Sequence, residues 1–157
     1  MKAIVINQHG GLDVLQPVEL PTPAVGPGDV LIDVKATALN RVDLLVREGW
    51  AGLKVNFPHI LGCDIAGVVA SVGANVKEFK AGQRVTVNPT LSCGECEWCL
   101  RGDDQMCNQW RLLGEHLNGG YAEQVAVPAR SVVAIPDSIS FEAAAAANLV
   151  MVTRGIR

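Results

Sequence analysis

From Val30 to Ala38 apolar and polar positions alternate. Val30, Ile32, Val34, Ala36 and Ala38 share one face, while Asp33, Lys35 and Thr37 share the other. A period of two predicts a half-buried antiparallel strand. Ala3–Asn7 is a shorter apolar run. Val14–Leu20 is another, broken by Pro17, which suits an edge strand because proline brings no ladder N–H. Between them and the clear strand lie Pro21, Pro23, Gly26, Pro27 and Gly28, a stretch fit for neither helix nor ladder. Gly67–Val72 and, after the Ala81-Gly82 turn, Arg84–Val87 read as further strands. Tyr121–Val127 and Val132–Ile135 complete the set, ended by Pro128 and Pro136. The period changes only briefly. Val42, Leu45 and Val46 have i, i+3, i+4 spacing between Asn40 and Gly49, which predicts a short helix with Asn40 as its N-cap. Ser140 and Glu142 open a second helix through the alanine run, and Thr153–Arg157 leaves its apolar pattern. Short strands, Gly/Pro turns and few helices predict a mainly β chain, a partly open β-barrel with a few short helices and no βαβ series.

The 157 residues suit one domain. A net charge of −3 gives no field to gather phosphates, so no nucleic-acid partner is expected. Charged residues are 18% of the chain, against about 25% in an average domain, which hints at a large covered surface. No membrane association is expected, since a span takes about 20 apolar residues and Ala143–Val152 is shorter and holds Asn148. The first residues reach Asn7, Gln8 and His9 too soon for a signal peptide. The expected compartment is the cytoplasm, where cysteines stay reduced.

Four of the five cysteines, Cys93, Cys96, Cys99 and Cys107, form a C-x2-C-x2-C-x7-C pattern. Closely spaced cysteines on a tight loop can bring several thiolates to one zinc at about 2.3 Å, and four leave no open position, so the metal would be structural. Gly94 lets the loop fold back, Gly102 helps turn the chain toward Cys107, and inward-pointing amides would stabilise the sulfurs. Two disulfides or an iron–sulfur cluster are weaker readings, and a DNA-binding ribbon is disfavoured because only Arg101 and Arg111 are basic nearby. Elsewhere Cys63 reads as a small buried hydrophobe, and Asp64 as a carboxylate that either pins its loop or lines a pocket. Asp43 reads as a solvated or capping residue, and His59 and His116 as lone histidines without a motif.

The Cys93–Cys107 cluster, Gly62-Cys63-Asp64-Ile65-Ala66-Gly67 followed by Gly73 and Val76, Ala38-Leu39-Asn40-Arg41-Val42-Asp43, and Gly119-Gly120-Tyr121-Ala122-Glu123 together resemble the medium-chain dehydrogenase/reductase superfamily. This family comprises zinc alcohol dehydrogenases and their quinone-reductase-like relatives. The resemblance implies a GroES-like barrel over 1–157 with a structural-zinc lobe at about 91–113. It also implies NAD(P)-dependent hydride transfer to a small carbonyl, enone or quinone in the parent enzyme. Asn40 and Cys63 stand where the family's catalytic zinc takes a Cys and a His, and Val42 where alcohol dehydrogenases place a proton-relaying hydroxyl. Asn40, Cys63 and Asp64 are thus pocket positions of a member with structural but no catalytic zinc. Arg41 matches a basic position near the cofactor pyrophosphate. No G-x-G-x-x-G occurs, so the nucleotide-binding Rossmann domain is expected to be absent and the chain alone inactive, with self-association possible through the bare cofactor-domain face. The alternative is a non-catalytic zinc-stabilised barrel acting as an interaction or co-chaperonin-like module, since fold alone does not give function.

Overall fold

The computed structural model describes residues 1–155, with side chains as far as Val150. In chain order the elements are β1 (Lys2–Ile6), β2 (Gln16–Glu19), β3 (Asp29–Ala38), α1 (Arg41–Glu48), β4 (His59–Ile60), β5 (Asp64–Val72) and β6 (Arg84–Val87). They continue with β7 (Thr90–Leu91), α2 (Glu97–Arg101), β8 (Arg111–Leu112), β9 (Gln124–Pro128), β10 (Val132–Ala134) and α3 (Phe141–Gly155).

The strand with the clearest alternation, β3, lies inside a five-stranded sheet of order β10-β6-β5-β3-β9, antiparallel throughout. Its pairing with β5 runs from Val30↔Val72 to Ala38↔Asp64, with register shifts at Leu31/Ile32 and Val34/Ala36. Such irregularities bend a strand and increase its twist, which curls the sheet. Gly67 sits at the second shift, where a Cβ would lie 2.1 Å from the Asp33 carbonyl oxygen, so only glycine lets β5 approach there. A three-stranded sheet, β2-β1-β4, joins the first through Ala3↔Ala122 and the Ile4 N–H to Tyr121 carbonyl bond of 2.8 Å. Val30, Ile32, Ile65, Val69, Val85, Val87, Val125 and Val127 form the buried core between the curled faces. The result is the mainly β, partly open barrel that the pattern predicts.

Both predicted helices form and pack on the sheets. Val46 of α1 packs on Ile6, Val14 and Leu61. Ala144 and Ala145 of α3 pack on Ala66 beside Ala36 and Ala38, small residues on both sides that let helix and sheet approach closely. Pro17 lies in edge strand β2, as expected.

Some boundaries differ. The Val14–Leu20 run yields a strand only at Gln16–Glu19, because Leu12–Val14 is a 3-10 turn that buries Val14. The Gly67 strand begins three residues earlier, at Asp64, where β5 already pairs with Ala38. The predicted Tyr121 strand begins at Gln124. The loss of apolar pattern at Thr153 does not end the helix, whose backbone continues through Gly155. Ile156 and Arg157 lie outside the described residues. No described helix is long and apolar enough to cross a membrane.

Candidate functional site

The chain leaves the barrel at β7 and returns at β8, paired by Thr90↔Leu112 and Leu91↔Arg111. Between these strands Cys93 and Cys96 lie on the turn into α2, and Cys99 lies within that helix. Gly102 ends α2 in the left-handed region at φ 84° and reverses the chain toward Cys107. The four Sγ atoms all lie within 4.8 Å of one another. Cys93–Cys99 is 3.8 Å, Cys96–Cys99 3.5 Å and Cys93–Cys107 3.6 Å. Tetrahedral zinc with 2.3 Å bonds sets its sulfurs about 3.8 Å apart, so the thiols already stand at the corners that such an ion needs.

All five cysteines are free thiols, so the disulfide reading fails. Amides point inward, as the loop predicts: Cys96 N–H donates to Cys93 Sγ at 3.3 Å, Cys93 N–H to Cys107 Sγ at 3.4 Å, and Gln109 N–H to Cys107 Sγ at 3.3 Å. Amides of Glu95 and Cys96 pull the Cys93 thiol down to about 6, whereas burial pushes Cys99 up to about 11. Thiols this close cannot all ionise beside one another without a cation. The donor set fits zinc, and Cys93, Cys96, Cys99 and Cys107 would hold it in a closed, structural site.

The second group of residues meets where α1, β5 and α3 converge. Asn40 caps α1: its Oδ1 accepts the Val42 N–H at 3.2 Å, and its own N–H donates to Asp43 Oδ2 at 2.8 Å, completing a capping box. Asn40 Nδ2 donates to Asp64 Oδ2 at 2.8 Å, and the Leu149 N–H of α3 donates to Asp64 Oδ1 at 2.9 Å. Asp64 is buried, with both oxygens engaged. Cys63 is wholly buried, and burial followed by the charges of Asp43 and Asp64 pushes its thiol far up, so it stays protonated.

A catalytic zinc does not fit here. The amide oxygen of Asn40 is committed to its helix and its nitrogen to Asp64, and both Asp64 oxygens are already taken by Asn40 and the Leu149 amide. Arg41 is exposed in the first turn of α1. A groove of about 600 Å³ lies elsewhere, over β1, β2 and Tyr121–Glu123, and Asn40, Cys63 and Asp64 do not line it.

The reading of Asp43 as a solvated residue is corrected: it does cap α1, but it is buried. Beside the Asn40 amide it accepts the Gly62 N–H at 3.2 Å and the Tyr121 hydroxyl at 2.9 Å. Burial raises its carboxyl above the usual range despite these bonds. Gly62, at φ 100°, makes room for the Tyr121 ring, which a Cβ would meet at 2.5 Å. Tyr121 is the residue that sequence reasoning missed. Its place in the Gly119-Gly120-Tyr121 entry was visible, but no local signal pairs it with a carboxylate 78 residues away.

His59 is buried, donates Nε2–H to the Gly114 carbonyl at 3.1 Å, and is held below its usual titration range by burial. The unfolded chain takes up the proton first, near pH 6.5, so acidification favours unfolding. Stability should fall as pH drops from about 6.5 toward the lowered value, and His59→Gln should flatten that slope. Urea midpoints between pH 8 and pH 5 test this, and parallel curves for the two proteins refute it. His116 Nδ1 accepts the Leu112 N–H at 3.2 Å and helps shape the root of the lobe.

Residues 26–137 match the family described as the alcohol dehydrogenase GroES-like domain. The chain is 38% identical over 147 residues to an alcohol dehydrogenase of Geobacillus stearothermophilus, covering 92% of this chain and 43% of that protein. It is 37% identical over 129 residues to an L-threonine 3-dehydrogenase of Mesorhizobium japonicum, covering 81% of this chain and 38% of that one. The crystal structure of an NAD-dependent alcohol dehydrogenase superposes with a TM-score of 0.90 at 43% identity, over 100% of this chain and 48% of that chain. A cobalt- and zinc-bound thermostable alcohol dehydrogenase from Pyrobaculum aerophilum gives 0.84 at 39% identity, over 92% and 43%. The chain spans less than half the length of each of these relatives. These four relatives are dehydrogenases and do not favour the co-chaperonin-like alternative.

Proposed function

The chain belongs to the alcohol dehydrogenase GroES-like domain family, and from that premise we propose that it is the substrate-side domain of an NAD(P)-dependent oxidoreductase that carries a structural zinc and no catalytic one. The domain is taken as 1–157, with its zinc lobe at 91–113, and its compartment as the cytoplasm. The observation that supports a metal-free cleft is the closed set of bonds among Asn40, Asp64 and the Leu149 amide. A neutral amide already committed to two hydrogen bonds is a poor ligand for a divalent ion in competition with water.

In this reading the substrate is a small carbonyl, enone or quinone, and bound NAD(P)H would supply the hydride. Polarisation of the substrate oxygen then falls to hydrogen-bond donors. Asn40, Cys63 and Asp64 are the positions proposed to face the substrate, and Val42 carries no proton. Arg41, exposed on the first turn of α1, is the chain's candidate contact for a pyrophosphate. The described residues hold no glycine-rich turn at a helix N-terminus, so the main dinucleotide cradle is not among them. Leu39, Leu44 and Leu45 are exposed beside Asn40, and such a patch suits cover by a cofactor domain or a second copy of the chain.

Metal analysis tests the reading. One zinc per chain is expected, lost only with strong chelation. A second, fully occupied metal bonded to Cys63 at about 2.3 Å would overturn the metal-free cleft.

A further inference from the structure

Arg130 belongs to the 3-10 turn Ala129–Ser131 between β9 and β10, outside the cysteine lobe, and is exposed. The turn is rooted in the barrel by Ala129 N–H to the Gly28 carbonyl at 3.0 Å and Asn88 N–H to the Ser131 carbonyl at 2.7 Å. From there the guanidinium reaches two consecutive carbonyls of the metal loop: Nη1 donates to the Cys93 oxygen at 2.6 Å, and Nη2 donates to the Ser92 oxygen.

In a trans peptide unit the C=O and the next residue's N–H lie in one plane and point opposite ways. The unit whose carbonyl is that of Ser92 carries the Cys93 N–H, which donates to Cys107 Sγ at 3.4 Å. The unit whose carbonyl is that of Cys93 carries the N–H of Gly94, the next residue of the metal loop. Thus one of the two carbonyls held by the guanidinium is the far end of the amide that serves the Cys107 thiol, and the other belongs to the ligand residue Cys93 itself.

We infer that Arg130 is a positioning residue for the structural metal, aiming the Cys93 amide at the Cys107 sulfur and fixing the ligand loop at Cys93 by gripping two consecutive peptide units. The inference rests on the reading of the cysteine cluster as a zinc site and is independent of the redox reading. A charged donor on a carbonyl polarises the unit and strengthens its N–H as a donor. The fork of arginine can take both carbonyls at once, which the single ammonium of lysine cannot do with the same geometry. Gly94 fits the same design: it has φ 78°, and a Cβ there would stand 2.7 Å from Arg130 Nη1, so a side chain would displace the guanidinium. The positive head also stands beside a cluster that, with zinc and four thiolates, carries a net charge of about −2.

Competition with a chromophoric chelator, applied to the full 157-residue chain, gives the zinc affinity of wild type, Arg130→Met and Arg130→Lys. Loss of an outer-shell partner typically weakens metal binding about 10- to 100-fold, which is the drop expected for Arg130→Met, with Arg130→Lys between it and wild type. Cobalt(II)-loaded protein supplies a readout that loosened packing alone would not move. As the Cys93 N–H···S bond weakens in Arg130→Met, the thiolate-to-cobalt charge-transfer bands should shift. If Arg130→Met does not fold, Arg130→Lys alone decides. Wild-type affinity and unshifted bands in the folded variants overturn the inference. A wild-type chain that holds no zinc removes its basis earlier, before any variant is compared.

Discussion

Cys99→Ser should release the zinc and disorder residues 91–113 while the barrel keeps its strands. The Cys99 sulfur stands 3.5 Å from that of Cys96 and 3.8 Å from that of Cys93, so its loss opens the tetrahedron at the centre of the cluster. The lobe has little else to hold it. α2 buries no residue, and Leu100 and Met106 are 76% and 54% exposed. In small zinc modules the metal contributes about 10–16 kcal/mol of apparent binding energy at pH 7, far more than the two residue pairs between β7 and β8 can replace. Leu91 and Leu113 at the root belong to the barrel core and mark where the disorder should stop. Amide NMR tests this: lobe resonances should collapse to random-coil positions, with the dispersed strand signals retained. A variant that keeps its zinc and a protected lobe, or one whose strands melt as well, contradicts the expectation.

The same 157 residues should neither bind NADH or NADPH measurably nor oxidise them with any carbonyl, enone or quinone. Hydride transfer depends on a nicotinamide held at contact distance from the substrate, and that positioning supplies much of the rate. In these residues Arg41 would have to hold the dinucleotide almost alone from an exposed helix turn. One solvated charge–phosphate contact cannot offset the freedom lost by a flexible ligand. Calorimetry with both cofactors and an absorbance assay over a substrate panel are the measurements. Saturable binding at micromolar cofactor, or turnover by the pure chain, would mean that the cleft is more complete than its residues indicate.

What was legible in the sequence is what is local. The alternation of β3 reports two faces of one strand, and the Asn40 cap with its helical spacing reports one turn. The cysteine spacing reports one loop, and each of these recurs in the structure. Illegible were the partners that folding brings from far away. Asp43 reads as solvated or capping in a window of ten residues, and its burial is hidden there because it depends on Gly62 and Tyr121. Asp64 looked equally fit for a loop pin or a pocket group. The structure makes it a tie between two helices, since its second donor comes from Leu149, 85 residues on. Arg130 carried no motif at all, because its role lies in the direction of two peptide units and not in any spacing. The start of β2 slipped because a 3-10 turn, which leaves no periodic trace, took the place of ladder pairing at Leu12–Val14.

Asn40 spends its amide twice, its oxygen on the first turn of α1 and its nitrogen on Asp64, and this restricts where mutation can lead. Asn40→Cys, the first substitution toward a metal-binding cleft, would remove an N-cap worth about 0.5–2 kcal/mol. It would also leave a buried carboxylate oxygen without its donor, at a cost of about 1–3 kcal/mol. Neither loss is recovered until further ligands arrive and an ion binds. An evolutionary walk or a design campaign toward metal-assisted chemistry would therefore cross a valley of unstable intermediates, unless the α1 cap and the Asp64 tie were first replaced by supports that do not pass through residue 40.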